Sequence, residues 1–211
     1  MPSNKSHNSL LPQVIVYDVY NSPIGEILIL GNKNCITSVI FANQSNIGEY
    51  IKSNNFMKVE TGKNSSANDE SQFVKRGVNF LKRYFSISEN GYFPYWKIIN
   101  VNNRILHVEL IEQPGRDNMN ISFDINSFTE KEIAVYIKLM GVPFGESVSY
   151  KVLSELMGIP GGARFAGNTM AKNKFPIFIP CHRVIKSNGD IGGYSAGIEN
   201  KKYLLGFEGL M

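Results

Sequence analysis

The chain has 211 residues, of which 43% are hydrophobic and 19% are charged, and its formal net charge at pH 7 is +4. These proportions are those of a globular protein and exclude a disordered or fibrous chain. The length allows one large domain or two small ones. The mildly basic balance permits a nucleic-acid partner but does not require one.

The two cysteines and the apolar segments indicate where the protein works. Cys35 and Cys181 are far apart and lack the paired spacing of a zinc site or a secreted disulfide framework. No apolar run reaches the roughly 18 residues of a membrane span, and Met1 to Leu11 lacks the apolar centre of a secretory signal. We therefore expect a cytoplasmic protein, nuclear in a eukaryote, with no metal, no cofactor and no membrane partner.

Residues 1–126 are predicted to form a mixed α/β domain with an antiparallel sheet. Turn residues at 21–25 and 31–34 separate three β-rich runs, which is typical of a meander: Val14 to Tyr20, Glu26 to Leu30 and Cys35 to Phe41. The polar composition of Lys52 to Ser71 predicts a mobile loop.

The rest of this first half predicts one helix and two further strands. Helical spacing is found in Phe73, Gly77, Phe80, Leu81 and Tyr84. Two strands, Ile105 to Ile111 and Ile121 to Ile125, are predicted on either side of the polar turn Gln113 to Asn120.

Residues 127–211 are predicted to form a second, mostly helical domain. Thr129 and Glu132 have the spacing of a capping box, which begins a helix that ends before Gly141. A second helix follows Ser149, and a third spans Ala163 to about Lys172. Two helices joined by a tight turn indicate a helix-turn-helix, whose second helix usually meets nucleic acid, although short helix pairs also occur in bundles.

A chemical site is indicated around the second cysteine. The apolar run Ile177 to Ile179 leads into Pro180, so Cys181 is predicted to begin a rigid bend, with Cys181 and His182 pointing to opposite sides of an extended segment. A nucleophilic cysteine needs a base and a group that orients the base. His182 and Arg183 are the immediate candidates for a base or a positive charge near the sulfur. His182 would reach the sulfur through a water, and Glu208 is a candidate carboxylate that fixes its tautomer. Taken alone, such a cysteine is more often a buried apolar residue.

A longer motif favours the chemical interpretation. It consists of Asn173, Pro176, Ile177, Pro180-Cys181-His182-Arg183-Val184-Ile185, Gly189, Gly192-Gly193-Tyr194-Ser195, Lys201, Leu204-Leu205 and Glu208-Gly209. From about Phe144 to Gly209 the chain closely resembles the O6-alkylguanine-DNA alkyltransferase family. The resemblance implies an N-terminal ribonuclease H-like domain and a C-terminal winged helix-like domain with a helix-turn-helix.

The resemblance also implies a function, which is DNA repair by direct damage reversal. A monomer would flip O6-alkylguanine, and also O4-alkylthymine, out of double-stranded DNA and transfer the alkyl group irreversibly to Cys181 in a single turnover. His182 would be the water-mediated base and Glu208 the carboxylate behind it. Tyr150 would donate a hydrogen bond to ring nitrogen N3.

Further residues are assigned by the same resemblance. The carbonyls of Cys181 and Val184 would accept from the guanine amino group, and the Ser195 amide would lie near O6. The substrate-binding residues are Val184, Tyr194, Ser195, Met170, Pro176 and Ile191. Arg164 would intercalate into the duplex from a helix whose small residues approach the minor groove, Ala163, Gly167 and Ala171. Asn173 would be a structural hinge.

Several alternatives remain at this stage. Tyr150 could be a core aromatic residue, Arg164 a solvated surface residue, and the small residues could serve helix packing. Ala196 stands where many family members carry glycine, which bears on the size of O6 group that is tolerated. The protein could instead be a non-catalytic binding relative, a regulator, or a cysteine hydrolase that turns over repeatedly.

Overall fold

The computed structural model describes residues 14–42, 46–54, 56–58, 71–87, 94–112 and 117–211. Its strands are β1 Val16–Ser22, β2 Gly25–Gly31, β3 Ile36–Phe41, β4 Met57–Lys58, β5 Tyr95–Asn102, β6 Ile105–Ile111, β7 Met119–Asp124, β8 Val148–Ser149 and β9 Val184–Ile185. Its helices are α1 Ile47–Asn54, α2 Gln72–Phe85, α3 Glu130–Met140, α4 Tyr150–Leu156, α5 Ala163–Ala171 and α6 Ile198–Phe207.

The first three strands form the predicted antiparallel meander. β1 pairs with β2 from Val16 opposite Gly31 to Ser22 opposite Gly25, and β2 pairs with β3. The two-residue turn between β1 and β2 is closed by Ser22, whose hydroxyl donates to the Gly25 carbonyl at 2.6 Å. Gly25 has a φ of +97°, which glycine adopts without a steric penalty.

The large sheet is mostly antiparallel and has the order β4-β1-β2-β3-β7-β6-β5. The two strands predicted around residues 105–125 are present as β6 and β7, and of the polar turn between them residues 113–116 lie outside the described residues. Two contacts are parallel, β1 with β4 and β3 with β7. The edge strand β5 was not predicted, because most of its side chains are exposed and its apolar residues do not alternate regularly.

The prediction of a mobile loop over residues 52–71 is wrong at its N-terminal end. Residues 52–54 complete α1, and β4 pairs with β1. Tyr50, Ile51 and Phe56 pack against Leu28 and Leu30, so scattered apolar residues in a polar stretch are enough to dock this segment on the sheet. Residues 59–70 lie outside the described residues.

The predicted amphipathic helix is confirmed as α2. It packs on the opposite face of the sheet from α1. Its buried residues are Val74, Gly77, Val78, Phe80, Leu81 and Tyr84. A Cβ at position 77 would lie 3.0 Å from the Ile36 side chain and 3.2 Å from that of Ile29. Glycine at this position therefore allows the helix to approach the sheet closely.

The three helices predicted in the second half are confirmed. The Thr129 hydroxyl accepts from the Glu132 amide, and the Glu132 carboxylate accepts from the Thr129 amide at 2.8 Å, which completes the capping box of α3. Ser149 caps α4 by accepting from the Val152 amide at 3.1 Å. α4 and α5 then pack together as a short helix pair.

The core is continuous between the sheet and the segment that precedes the second cysteine. The Val39 amide on β3 donates to the Lys174 carbonyl at 2.8 Å. The ring of Phe178 lies 4.5 Å from that of Phe80 and 5.6 Å from that of Phe123. The sheet and α2 therefore form the floor on which the residues around Cys181 are held.

None of the helices in the described part of the chain has the length and apolar character needed to cross a membrane.

Candidate active site

Asn173 fixes the segment that leads to Cys181. Its Oδ1 accepts from the Phe175 amide at 2.9 Å, and its Nδ2 donates to the Ile179 carbonyl at 2.9 Å and to Cys181 Sγ at 3.0 Å. One buried side chain therefore joins the end of α5 to the sulfur, in the place where a hinge was predicted.

The backbone between Asn173 and Cys181 is sharply bent. Ile177 has a φ of +73°, a conformation that costs a β-branched residue energy and persists only where the surroundings impose it. Ile177 is buried, and an isolated bridge joins Pro176 to Ile179 on either side of it. The packed segment therefore presents Cys181 in one fixed orientation.

Cys181 begins a single 3-10 turn, Cys181–Arg183, so the predicted extended arrangement of Cys181 and His182 is wrong. The turn forms because the Arg183 amide donates to the Pro180 carbonyl at 2.9 Å, while Pro180 has no amide hydrogen for a strand pairing. Cys181, His182 and Arg183 are all buried in it.

His182 and Glu208 form a buried hydrogen-bonded pair. His182 Nε2 lies 2.8 Å from Glu208 Oε1, and both side chains are fully shielded from solvent. His182 Nδ1 has no partner among the described residues. Donation from Nε2–H to the carboxylate leaves the Nδ1 lone pair as an acceptor, which is the tautomer that a base requires.

The charges of this pair are set by its surroundings. Burial opposes ionisation of Glu208, but His182 and Arg183 outweigh it and lower the pKa of the carboxyl to about 2. Burial lowers the pKa of His182 below its usual value, against the opposing effect of Glu208. At neutral pH the resting pair is therefore a carboxylate and a neutral imidazole.

Cys181 is held as a thiol in the resting protein. Burial raises the pKa of Cys181 to about 11, although the hydrogen bond from Asn173 and the positive charge of Lys201 both lower it. Use of Cys181 as a nucleophile would therefore first require transfer of the thiol proton to a base.

The sulfur lies at the wall of a cavity of about 600 Å³. The cavity is lined by Tyr150, Ala163, Arg164, Gly167, Met170, Ala171, Cys181, Lys186, Gly192, Gly193, Tyr194 and Ser195. Nine of these twelve residues were predicted site residues, so the structure brings together elements that are far apart in sequence. Val184, Pro176 and Ile191 were predicted to bind substrate but are not in this lining.

The two carbonyls predicted to accept from a base already have one donor each. The Val184 carbonyl accepts from Lys201 Nζ at 2.6 Å, and the Cys181 carbonyl accepts from the Val184 amide. A carbonyl oxygen has two lone pairs, so each can take a second donor. Lys201 also donates to the Gly193 carbonyl at 3.2 Å, and burial lowers its pKa to about 8.

Tyr150 stands at the first position of α4, half-buried against the glycine-rich loop. Burial raises the pKa of its hydroxyl, so it remains a proton donor at neutral pH. A Cβ at Gly192 would lie 3.2 Å from the Tyr150 ring and 3.3 Å from its oxygen, and Gly192 has a φ of +72°. Glycine at position 192 therefore leaves room for the tyrosine beside the cavity.

One face of α5 forms the opposite wall of the cavity. Ala163, Gly167, Met170 and Ala171 lie on this wall at helical spacing, and Arg164 is exposed in the first turn. The small side chains keep the cavity open between the helix and Tyr150, while the exposed guanidinium carries a positive charge at its rim.

Two residues of the site, Tyr84 and Lys201, were not assigned a role from the sequence, and Arg183 was a candidate only for the positive charge near the thiol. Arg183 donates to both Glu208 oxygens, from Nε at 2.8 Å and Nη2 at 3.0 Å. Tyr84 donates to Glu208 Oε1 at 2.7 Å, and Lys201 binds two loop carbonyls. Arg183 and Lys201 belonged to the motif, which was a usable signal, whereas nothing in the local sequence connects Tyr84 to a residue 124 positions away.

Cys35 does not belong to this site. It is buried beside Asn32, and burial raises its pKa to about 12. Among the described residues no three His, Cys, Asp or Glu side chains come together in a group that could hold a metal ion. His7 lies outside the described residues.

A buried thiol beside a neutral histidine and a carboxylate, opening into a cavity next to a helix pair, defines a class of proteins that use cysteine as a nucleophile. Residues 130–210 match the family described as the DNA-binding domain of 6-O-methylguanine DNA methyltransferase. This segment of the chain is therefore assigned to that methyltransferase family.

Curated relatives and solved structures agree with this assignment. Proteins named methylated-DNA–protein-cysteine methyltransferase are 47% identical over 89 residues in Rattus norvegicus, which is 42% of each chain, and 34% identical over 112 residues in Methanocaldococcus vulcanius, which is 53% of this chain and 66% of the relative. The chain thus matches less than half of the length of the rat protein. A crystal structure of a Mycobacterium tuberculosis OGT variant has a TM-score of 0.64 at 25% identity, over 92% of this chain and 93% of that one.

Proposed function

We propose that the protein repairs DNA by direct damage reversal, by moving the alkyl group of O6-alkylguanine, and of O4-alkylthymine, onto Cys181. The observation that carries the proposal is the position of the Cys181 sulfur at a cavity of about 600 Å³, with the His182–Glu208 pair behind it. The relatives at 34–47% identity are named for methyl transfer from methylated DNA to a protein cysteine.

The chemistry is a displacement at carbon. The Cys181 thiol loses its proton through a water to His182 Nδ1, and the sulfur forms a bond to the alkyl carbon as the carbon–O6 bond breaks with its electron pair going to the guanine. The guanine takes up one proton, equivalent to the one that the thiol lost. The imidazolium formed in between is stabilised by the Glu208 carboxylate 2.8 Å away.

The cavity walls account for recognition of the leaving base in this proposal. The Tyr150 hydroxyl donates to ring nitrogen N3, the Ser195 amide lies near O6, and the carbonyls of Cys181 and Val184 accept from the exocyclic amino group. Donors at these positions stabilise the negative charge that develops as the base leaves. Tyr194 and Met170 are apolar walls, and Pro176 and Ile191 act from outside the lining by holding its backbone.

The duplex is engaged through α4 and α5, which we take as a helix-turn-helix in a winged helix-like domain over residues 127–211. A base inside a duplex hides its O6, so it must be flipped out, and Arg164 fills the gap. Ala163, Gly167 and Ala171 allow α5 to approach the minor groove. Residues 1–126 form a ribonuclease H-like domain, and a monomer in the cytoplasm, or in the nucleus of a eukaryote, is sufficient for the reaction.

Transfer stoichiometry on a defined duplex tests the proposal. Excess duplex that carries one O6-methylguanine is incubated with the protein, and repaired DNA is counted against protein. We expect one repaired base per molecule, because water does not cleave a thioether as it cleaves a thioester. Repeated turnover would indicate a hydrolase and contradict the proposal, and binding without any repaired base would indicate a non-catalytic relative.

The matched control is Cys181→Ser, which keeps the size and hydrogen-bonding capacity of the side chain but removes the sulfur. We expect it to bind the duplex as the unmodified protein does and to repair none of it. Repair by this variant would show that another residue accepts the alkyl group.

A further inference from the structure

Glu208 receives a hydrogen bond from the sheet-bearing half of the molecule. Tyr84, on α2, donates from its hydroxyl to Glu208 Oε1 at 2.7 Å. The same oxygen accepts from His182 Nε2 at 2.8 Å and from Arg183 Nη2 at 3.0 Å. Oε1 is therefore the shared acceptor of a tyrosine, the base and an arginine, while Oε2 faces Arg183 Nε at 2.8 Å and the Gly145 amide at 3.4 Å.

Packing holds the Tyr84 ring where its hydroxyl meets the carboxylate. Tyr84 is 4% exposed, and its ring lies 5.5 Å from that of Phe207 and 5.9 Å from that of Phe144. Phe144 precedes β8 and Phe207 ends α6, so the two rings come from well-separated parts of residues 127–211. Because a buried ring among other rings has few alternative orientations, the hydroxyl is presented to Glu208 at low entropic cost.

We propose that Tyr84 is a positioning residue for alkyl transfer, which acts through Glu208 on His182, so that the half of the protein remote from DNA takes part in the chemistry. This inference rests on the proposed function. Tyr84 lines no part of the cavity and does not touch the sulfur, so its action is confined to the orientation and basicity of the imidazole.

The direction of the effect follows from the charge on Oε1. A hydrogen bond from Tyr84 withdraws charge from this oxygen and weakens its attraction for a proton on His182. Burial and the adjacent Glu208 keep the tyrosine hydroxyl protonated by raising its pKa well above the usual value, so it donates a hydrogen bond at neutral pH. Removing it leaves Oε1 more negative and raises the pKa of His182.

The other charged and titratable groups around His182 stay in place in a Tyr84→Phe variant. They are the Glu208 carboxylate and its partner Arg183, Lys201 on α6, the Tyr194 ring and the Cys181 thiol. Of these groups only Glu208 loses a partner when the Tyr84 hydroxyl is removed, and that partner is the hydroxyl itself. A shift in the titration of His182 can therefore be assigned to the lost hydrogen bond.

The experiment compares single-turnover transfer rates of full-length protein and Tyr84→Phe across pH 5–9 on a methylated duplex. Residues that hydrogen-bond to the ligands of a metal typically contribute about 10-fold to 100-fold to activity, and Tyr84 has a similar relation to the base, so we expect about a tenfold slower rate at neutral pH. We also expect the acid limb of the pH profile to move to higher pH. Duplex affinity and the final count of one alkyl group per molecule should not change.

Tyr136→Phe is the matched control, because Tyr136 is also a buried tyrosine and loses one hydrogen bond of 2.7 Å, to the Thr169 carbonyl, without contact with Glu208. We expect its acid limb to stay in place. Equal rate losses with unmoved acid limbs in both variants, or a Tyr84→Phe rate equal to that of the unmodified protein, would overturn the inference and leave the proposed function intact. Absence of transfer in the unmodified protein would contradict the proposed function itself.

A second measurement distinguishes the loss of this hydrogen bond from a folding defect. In a Glu208→Gln background the acceptor has lost its charge, so adding Tyr84→Phe should slow the residual rate by less than twofold, whereas a general loss of structure would slow both backgrounds equally. An equal slowing in both backgrounds would count against a pathway through Glu208.

Discussion

The two sides of Cys181 are built in opposite ways. Behind the sulfur, Glu208, His182, Arg183 and Tyr84 form a buried network in which both carboxylate oxygens are multiply hydrogen-bonded. In front of it, glycine and alanine residues of α5 and the Gly192 loop leave a cavity of about 600 Å³. One side therefore fixes charge in a single geometry, and the other side keeps open the space that the proposed function requires for a flat base.

The largest effect on the buried network is expected from removing the charge of Glu208. In Glu208→Gln, His182 loses the carboxylate that orients it and stabilises its protonated form, while Arg183 stays buried without its partner charge. We expect transfer to slow by about 100-fold or more, the usual contribution of a positioned base. Single-turnover kinetics measure this, and a rate within threefold of the unmodified protein would contradict the role of the pair.

The same carboxylate should control stability in acid. Its pKa is about 2 in the folded protein against an ordinary value of 4.5, so the folded state is favoured above pH 4.5, and this contribution is lost as the pH falls towards 2. The shift corresponds to about 3 kcal/mol at about 1.4 kcal/mol per pH unit. Urea unfolding from pH 6 to pH 3 should show the loss, and Glu208→Gln should lack that part of it.

On the cavity side, the proposed function assigns Arg164 to the duplex and not to the alkyl transfer itself. We expect Arg164→Ala to slow repair of duplex DNA by about tenfold, since base flipping costs a few kcal/mol and the filler is lost. Reaction with a free O6-alkylguanine base should be unchanged. Lys82→Ala, which removes an exposed charge from α2, is the control. Equal losses by Arg164→Ala on both substrates would argue against intercalation.

The smallest effect is expected at Ala196. This residue is fully buried and is absent from the cavity lining, in contrast to the expectation that it limits the size of the O6 group. The ratio of reaction rates with O6-benzylguanine and O6-methylguanine should therefore change by less than about twofold in Ala196→Gly, because no lining atom is removed. A much larger preference for the benzyl group would place Ala196 in control of the pocket.

Local sequence signals were sufficient for elements whose stability is local. Residues close together in the sequence determine three such elements: the capping box at Thr129 and Glu132, the apolar spacing of α2 and the turn at residues 22–25. α1 and β4 were missed because their few apolar residues become meaningful only when Leu28 and Leu30 provide a surface. The exposed edge strand β5 has no buried face over most of its length to produce a periodic pattern.

The residues of the site divide into the same two groups, those indicated by local sequence and those that depend on tertiary packing. A contiguous motif indicated Cys181, His182 and the glycine loop, the need for an orienting carboxylate suggested Glu208, and the resemblance brought in Tyr150. The hydrogen bond between Tyr84 and Glu208 joins residues 124 positions apart, and the segment that leads into the 3-10 turn packs through Phe178 against Phe80 and Phe123. Neither can be deduced from spacing, because both are consequences of how the sheet packs against the active-site segment.

The mass of the proteolytic peptide that contains Cys181 tests the central claim most directly, after incubation of the protein with a duplex that carries one O6-methylguanine. We predict that this peptide gains one methyl group in place of a hydrogen in every molecule that has repaired a base, and that the Cys35 peptide stays unmodified. Repair of the duplex with an unmodified Cys181 peptide would contradict the account.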